Sequence, residues 1–378
     1  MSFSPQKTAC SKDIRKANQL RILHYLLQVE ETSQSELSDK LEISWPTVQL
    51  IVKSLLKQGL VQENGPIAST GGRKPIAISL ARNSRYFIGI DITKDHLGFV
   101  LLNLAGQCTA RKKIVKDFSD TESWFTDLNQ LLLGFLKKER VAQKKICGSG
   151  FSLPAIIDLK DPEIPFPNAL NCRGLYYERF SRAVPWPITF INDSDAAGYA
   201  EFRNNKTIQN AVYLALNNSV GGSMMLNGAM YPGQNNRSGE FGHMIAVPNG
   251  KKCYCGNHGC LDAYCNARIL TDHSNGDPDQ FFALLKKGNA EIRKVWNQYL
   301  ETLLFSINNL RMILDCDIIL GGILGGYLYE YKMEIFEKLK TINPFRPDAR
   351  FIQFCQYQQE ASAQGAAMLA LDTFFGNL

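Results

Sequence analysis

The chain has 378 residues, of which 45% are hydrophobic and 21% charged, with a formal net charge of +6. This composition excludes disorder over most of the length, and at roughly 100–200 residues per domain the length predicts two or three domains. No apolar run approaches the roughly 18 residues of a membrane span, and the polar stretch from Met1 to Arg15 has no signal core. Membrane and secretion are therefore disfavoured, and the cytoplasm is the expected location.

The charge is unevenly distributed. Residues 1–85 hold 12 Lys/Arg against 7 Asp/Glu, a balance of +5, which leaves +1 for the other 293 residues. That asymmetry points to a small anion-binding module on a nearly neutral body, with nucleic acid as its partner. A solvated basic face would give the same sum.

In chain order, residues 15–29 place Leu20, Leu23 and Leu27 at helical spacing. Ser33 and Glu36 form an S-x-x-E capping box for a short helix over 34–41. A turn at Glu42–Ile43 follows, then Ser44 caps a third helix that tolerates Pro46 in its first turn and stops at Gly59. Val48, Ile51, Val52, Leu55 and Leu56 form its buried face. Two strand-like runs, 60–63 and 76–80, flank a polar loop that holds Gly71-Gly72-Arg73-Lys74. This is the pattern of a winged helix-turn-helix. Docked on DNA, the third helix would present Ser44, Trp45, Thr47, Gln49 and Lys53 to the major groove. Arg73 and Lys74 on the wing suit a narrow minor groove. Use of the winged helix for protein contacts, or Trp45 as a core residue, fits the same pattern.

Beyond Arg82, strands and helices alternate. Strands are expected at 86–91, 96–104, 112–115, 146–153, 188–192, 211–216, 222–226 and 318–320. Helices are expected at 121–139, 194–203, 279–286, 290–313 and 360–375. The order predicts an α/β body with two lobes.

Three sites in the body carry chemistry. His243, Cys253, Cys255 and Cys260 supply one imidazole and three thiolates within C-Y-C-G-N-H-G-C, a closed tetrahedral set that suits structural zinc. His258 and Cys265 are spare donors nearby. Asn192-Asp193 follows a strand and opens a helix, where open α/β sheets bind ligands. Asp193 there accepts a hydroxyl proton or simply caps the helix. Glu240 and His243 lie three residues apart, and Asp262 follows Cys260 by two. Together they suit vicinal hydroxyls, or are ordinary polar loop residues.

These residues resemble the ROK family of sugar-responsive repressors and sugar kinases. Its signature is E-x-G-H, about ten residues, then C-x-C-G-x-x-G-C-x-E. Here the chain reads Glu240-Phe-Gly-His243, then Cys253-Tyr-Cys-Gly-Asn-His-Gly-Cys260-Leu-Asp262. The resemblance covers roughly residues 85–375, and the winged helix in front looks like the repressor branch, with N-acetylglucosamine and xylose repressors the nearest kind. It implies a two-lobed, actin-like or hexokinase-type (ribonuclease H-like) ATPase fold. The expected domains are 1–82, the winged helix; 83–200, the first lobe, completed by a C-terminal helix over 360–378; and 201–359, the second lobe with the zinc loop. It implies sugar or sugar-phosphate contacts at Asn192, Asp193, Glu240, His243 and Asp262, with Asn168 nearby. Asp262 stands where the family has Glu, one methylene shorter.

The family's kinases follow the first-strand Asp with a Gly-Gly-Thr turn and carry a second loop resembling G-T-G-x-G-G. Here Asp91 precedes Ile92-Thr93-Lys94, and the second loop is Asn217-Asn218-Ser219-Val220-Gly221-Gly222. The expectation is a DNA-binding sugar sensor, dimeric or tetrameric on operator DNA, with zinc and without a nucleotide. In a kinase, Asp193 would be the base. Control by a partner protein is the third reading.

Overall fold

The computed structural model describes residues 11–66, 75–205, 207–345, 349–358 and 360–378. Three helices open it: α1 (Ser11–Leu26), α2 (Gln34–Leu41) and α3 (Trp45–Lys57). Ile22, Leu23 and Leu26 pack with Leu37, Val48, Ile51, Val52 and Leu55. A bulged antiparallel ribbon follows, β1 (Val61–Pro66) and β2 (Ile76–Leu80). Arg73 and Lys74 of the expected wing lie outside the described residues.

Local details differ from the sequence reading for identifiable reasons. The first helix ends at Leu26 because the chain leaves it to bridge β2. Thr32 N–H donates to Ile78 O at 2.9 Å and Ile78 N–H donates back at 2.7 Å. Ser33 Oγ accepts from Glu36 N–H at 3.2 Å, which caps α2. The Glu36 carboxylate, however, accepts from the hydroxyls of Thr32 (2.9 Å) and Tyr25 (3.2 Å), so the second half of the capping box is not formed. Ser44 occupies the N-cap of α3 without a side-chain cap, and its hydroxyl meets that of Thr47 at 2.8 Å.

The first sheet of the body contains β3 (Tyr86–Ile92), β4 (His96–Asn103), β5 (Cys108–Val115), β6 (Ile146–Leu153) and β7 (Ile188–Asn192). Their order is β5-β4-β3-β6-β7. The first three form an antiparallel meander, and β6 and β7 run parallel to β3. Helices α4 (Glu122–Lys138), α5 (Tyr177–Ala183) and α6 (Asp193–Asn204) are interspersed. The second sheet contains β8 (Ala211–Leu216), β9 (Val220–Leu226), β10 (Ala229–Met230), β11 (Asp317–Gly321) and β12 (Ile352–Phe354). Its order, β10-β9-β8-β11-β12, repeats the arrangement of the first. Such a duplicated mixed sheet is the actin-like, hexokinase-type architecture.

Around the second sheet lie α7 (Asp262–Cys265), α8 (Arg268–Thr271), α9 (Pro278–Lys286), α10 (Ala290–Leu314), α11 (Gly325–Glu330) and α12 (Lys332–Ile342). The chain ends in α13 (Ala361–Gly376). Periodicity did not reveal α12, since only Ile335 and Leu339 are buried along it. Strand β5 extends beyond the expected 112–115 because it is an edge strand with polar residues. No helix among the described residues is long and apolar enough to cross a membrane.

Two helices join the lobes. Helix α6 packs on β8 and β9, α13 packs on β3, β4 and β6, and the two helices pack against each other. Arg203 holds Asp372 with two hydrogen bonds, of 2.8 and 2.6 Å, and Tyr199 donates to the same carboxylate. Glycines make the approach close. A Cβ on Gly365 would lie 1.7 Å from the backbone oxygen of Ala196, and one on Gly150 would lie 1.9 Å from that of Ala366. Backbone in a close-packed layer cannot yield, so Gly150→Ala is expected to destabilise the protein by about 3 kcal/mol. An unchanged urea midpoint would contradict this.

The winged helix is not a loosely tethered appendage. Ile22, Leu26, Leu60 and Leu80 belong to the same buried cluster as Leu104, Met368, Leu371 and Phe375 of the body. The Arg85 guanidinium donates to Gln58 O at 3.0 Å, and Leu104 N–H donates to Arg82 O at 2.9 Å.

Candidate functional site

Asn192 ends β7 and caps α6. Its Oδ1 accepts from Ser194 N–H (2.9 Å) and Asp195 N–H (3.1 Å), while its Nδ2 donates to Ala155 O (3.2 Å). The capping role that spacing alone allowed Asp193 thus falls mainly to Asn192. Asp193 Oδ1 takes an additional bond from Ser194 N–H at 2.8 Å, and Ser362 of α13 donates to Asp193 O at 2.9 Å. Burial, with the charge of Glu240 beside it, pushes the Asp193 carboxyl up to about 6. Asp195 rises to about 7 through burial and the charges of Asp193 and Glu240.

Asp91, near the end of β3, faces the same region. Burial raises its carboxyl to about 7, helped by Asp193 and Glu360 and opposed by Ser152 and Lys113. The Ser152 hydroxyl donates to Asp91 Oδ1 at 2.7 Å. Oε2 of Glu360 is buried without a hydrogen-bond partner among the described residues. Asp91, Asp193, Asp195, Glu240 and Glu360 thus form one group of mutually interacting carboxyls. Burial is the largest cause of the raised carboxyl at each of Asp91, Asp193 and Asp195.

Glu240 is exposed and precedes the short turn Phe241–His243. Nδ1 of His243 lies 3.9 Å from Cys253 Sγ, and Nε2 lies 3.3 Å from the Tyr254 hydroxyl. Cys255 Sγ and Cys260 Sγ are 3.7 Å apart. The four donor atoms of His243, Cys253, Cys255 and Cys260 all lie within 4.8 Å of one another. Tetrahedral thiolates at Zn–S distances of about 2.3 Å sit about 3.8 Å apart, so this set can hold a metal ion. Burial and neighbouring thiols push Cys260 up to about 12, and burial raises Cys253. A cation supplies the charge that lets all three ionise. Gly256 and Gly259 adopt φ of +96° and +83°, which gives the turns that bring the thiols together. Cys265 instead directs its thiol toward Tyr299 O at 3.9 Å, and His258 lies exposed outside the donor set.

The loop is tied to the segment after His243. Ala246 N–H donates to Gly259 O at 2.8 Å and Leu261 N–H donates to Met244 O at 2.8 Å. Asp262 is buried, and its Oδ1 accepts from Val220 N–H at 2.6 Å. Its carboxylate thus joins the metal loop to the turn that opens β9.

The turn after Asp91 and the turn between β8 and β9 have internal partners. Thr93 N–H donates to His96 O at 3.0 Å, and the Thr93 hydroxyl lies 2.8 Å from His96 Nδ1. Asn217 Oδ1 accepts from Ile323 N–H at 2.8 Å, and Asn217 O accepts from Ala267 N–H at 2.7 Å.

One pairing had no signal in the sequence. Phe166, 59% exposed and at φ +52°, carries the Arg237 guanidinium 5.6 Å from its ring centre. Phe166 precedes the turn Pro167–Leu170, and Arg237 precedes Glu240 by three residues. A long-range cation–π contact has no sequence spacing to betray it. Asn168 lies in that turn, with its side chain outside the described residues.

On α3, Trp45 is 50% exposed, so it is not a core residue. Ser44, Gln49 and Lys53 are exposed and Thr47 is half-buried.

The sequence profile of the ROK family matches residues 87–373, and that of the MarR family matches residues 15–66. The xylose repressor of Bacillus spizizenii is 29% identical over 260 residues, 68% of this chain and 67% of that protein. N-acetylmannosamine kinase of Escherichia coli is 25% identical over 299 residues, 75% of this chain and 97% of the kinase. A ROK family transcriptional regulator, a homologue of the E. coli MLC protein, superposes with a TM-score of 0.75. Identity is 18%, and 95% of this chain and 96% of that one are covered. A ROK family glucokinase from Streptomyces griseus, solved with glucose and AMPPNP, gives a TM-score of 0.63 at 18% identity, covering 76% and 99%. These likenesses establish the fold of head and body. With the family profile spanning nearly the whole body behind a MarR-like winged helix, the chain belongs to the ROK family.

Proposed function

We propose that the protein is a sugar-responsive transcriptional repressor of carbohydrate-utilisation genes. The observation that carries this reading is the core shared by the winged helix and α13. At 1.5 Å per residue, α13 is about 24 Å long. One end meets Asp193 through Ser362, and Phe375 at the other end lies in the cluster that includes the head. A ligand that moves the lobes would move the platform on which the head rests. The xylose repressor among its relatives supports the same reading.

In this reading residues 1–82 bind operator DNA, 83–200 with 360–378 form one lobe, and 201–359 form the other. Ser44, Trp45, Thr47, Gln49 and Lys53 face the DNA, assisted by Arg73 and Lys74. Two copies would match the two halves of a pseudo-palindromic operator, which favours a homodimer or homotetramer. Asn192 retains one amide proton for a sugar hydroxyl. Asp193 and Glu240 accept hydroxyl protons, and His243 and Asp262 position the wall beside them.

Zinc is the ion assigned to His243, Cys253, Cys255 and Cys260. Four protein ligands leave no open position, so its role is to brace the loop. A nucleotide fits these residues poorly. Thr93 N–H donates to His96 O and Val220 N–H donates to Asp262, so neither amide is free for a phosphate, and Asn217 Oδ1 accepts from Ile323 N–H where glycine would leave space. We therefore read the cleft as a sensor rather than a kinase.

Thermal unfolding with pentoses, hexoses, amino sugars and their phosphates, with and without Mg-ATP, tests this. A ligand at about 100 times its Kd adds about 2.7 kcal/mol of stability. One sugar class is expected to do so in the wild type but not in Asp193→Asn, with no further shift from ATP. Stabilisation by ATP with ADP release would favour the kinase. Stabilisation by no sugar would leave control by a partner protein.

A further inference from the structure

The outward face of α3 carries an apolar residue at its centre. Pro46, Gln49, Leu50, Lys53 and Lys57 follow one another around the exposed side, opposite the buried Val48, Ile51, Val52 and Leu55. Leu50 is 63% exposed and lies one turn from Pro46 and from Lys53. Neither Lys53 nor Lys57 takes part in an ion pair among the described residues. A leucine at the middle of a solvated helix face, flanked by unpaired cations, is matched to a surface that is anionic at its margins and partly apolar at its floor.

The major groove is such a surface. Its walls are phosphates and its floor is base edges. Flanking lysines meet the walls, and the centre of the helix face meets the floor. Most base-edge groups there are hydrogen-bond donors or acceptors, and an alkyl group pressed on them removes water without replacing its bonds. The exception is the 5-methyl group of thymine. We infer that Leu50 is a specificity-determining residue that reads thymine methyl groups in the operator. The inference rests on the DNA-binding reading given above.

The test uses the full-length protein. A preferred sequence is first selected from random duplexes. Thymines in it are then replaced singly by uracil, which removes only the methyl group and leaves the pairing and both strands unchanged. Wild type and Leu50→Ala are titrated with each duplex. Leu50 is exposed, so the variant is expected to keep the wild-type melting temperature.

Loss of one buried methyl weakens binding about fourfold. The wild type is expected to lose about that factor at one or two particular thymines, whereas Leu50→Ala binds those thymine and uracil duplexes equally. Uniform tolerance of uracil by the wild type overturns the assignment while leaving DNA binding intact. So does a Leu50→Ala variant that keeps the full thymine dependence, or one that changes only self-association. Failure of the wild type to select any sequence overturns the DNA-binding reading itself.

Discussion

Cys255→Ser is expected to strip the metal from the loop and abolish the sugar response while leaving DNA binding in place. Cys255 is the exposed member of the donor set, so its replacement leaves the core packing untouched. Cys253 and Cys260 are buried and would confuse loss of metal with loss of packing. Metal content should fall from about one ion per chain to none. Without the ion, burial keeps the remaining thiols protonated, and the His243 imidazole is held to the cysteine loop only by the Tyr254 hydroxyl and the backbone bonds of the flanking segments. The loop is joined to the Glu240–His243 segment through Ala246, Val247 and Leu261, so its loosening reaches the proposed sugar wall directly. The head instead shares its core with α13, which packs on α6. Ligand coupling of this kind is typically about 5–150-fold in affinity. In Cys255→Ser the ratio of operator affinities with and without sugar should fall to about one. A metal-free variant with wild-type sugar affinity would refute the bracing role.

Asp91→Asn should stabilise the protein by up to about 4 kcal/mol at pH 8 and by little at pH 4. The Asp91 carboxyl is raised from 3.8 to about 7, mainly by burial and then by Asp193 and Glu360. A raised carboxyl makes the folded state hold its proton more tightly than the unfolded chain does. Stability from that group is therefore full below about pH 4 and is lost as pH rises to about 7. Asparagine has no such term and still accepts the Ser152 hydroxyl, so the gap between variant and wild type opens across that window and is flat above it. Denaturant titrations at several pH values measure it directly. A gap independent of pH would show that Asp91 ionises freely.

The two experiments separate architecture from sensing. The first removes the brace proposed behind Glu240, and the second relieves the crowding of Asp91 with Asp193 and Glu360. Asp91 is followed by the turn from Thr93 to His96. Here Thr93 and His96 bond to one another across that turn.

Much of the plan was legible in the residues. The winged helix follows from a 3.6-residue period, a serine cap and two short apolar strands. The gathering of His243, Cys253, Cys255 and Cys260 into a group that could hold a metal follows from the close spacing of the cysteines. Other features were not legible. The edge strand β5 is polar, and α12 buries too few side chains to set a period. Glu36 left its capping box because Thr32 and Tyr25, brought near by the β-bridge, compete for its carboxylate. Phe166 and Arg237 lie 71 positions apart and meet only across the fold.

Taken alone, the sequence determined what depends on near neighbours: helix periods, caps, the spacing of the thiols and the carboxylates in their loops. Only the tertiary structure decided what those groups do together. It assigned the main capping bonds to Asn192, and burial beside Glu240 raised the Asp193 carboxyl. It spent the Asp262 carboxylate on Val220 and placed the head and α13 in one core. The physical reason is range. Backbone preference and side-chain periodicity act over a few residues, whereas desolvation, charge crowding and close packing depend on which distant segments the folded chain brings into contact.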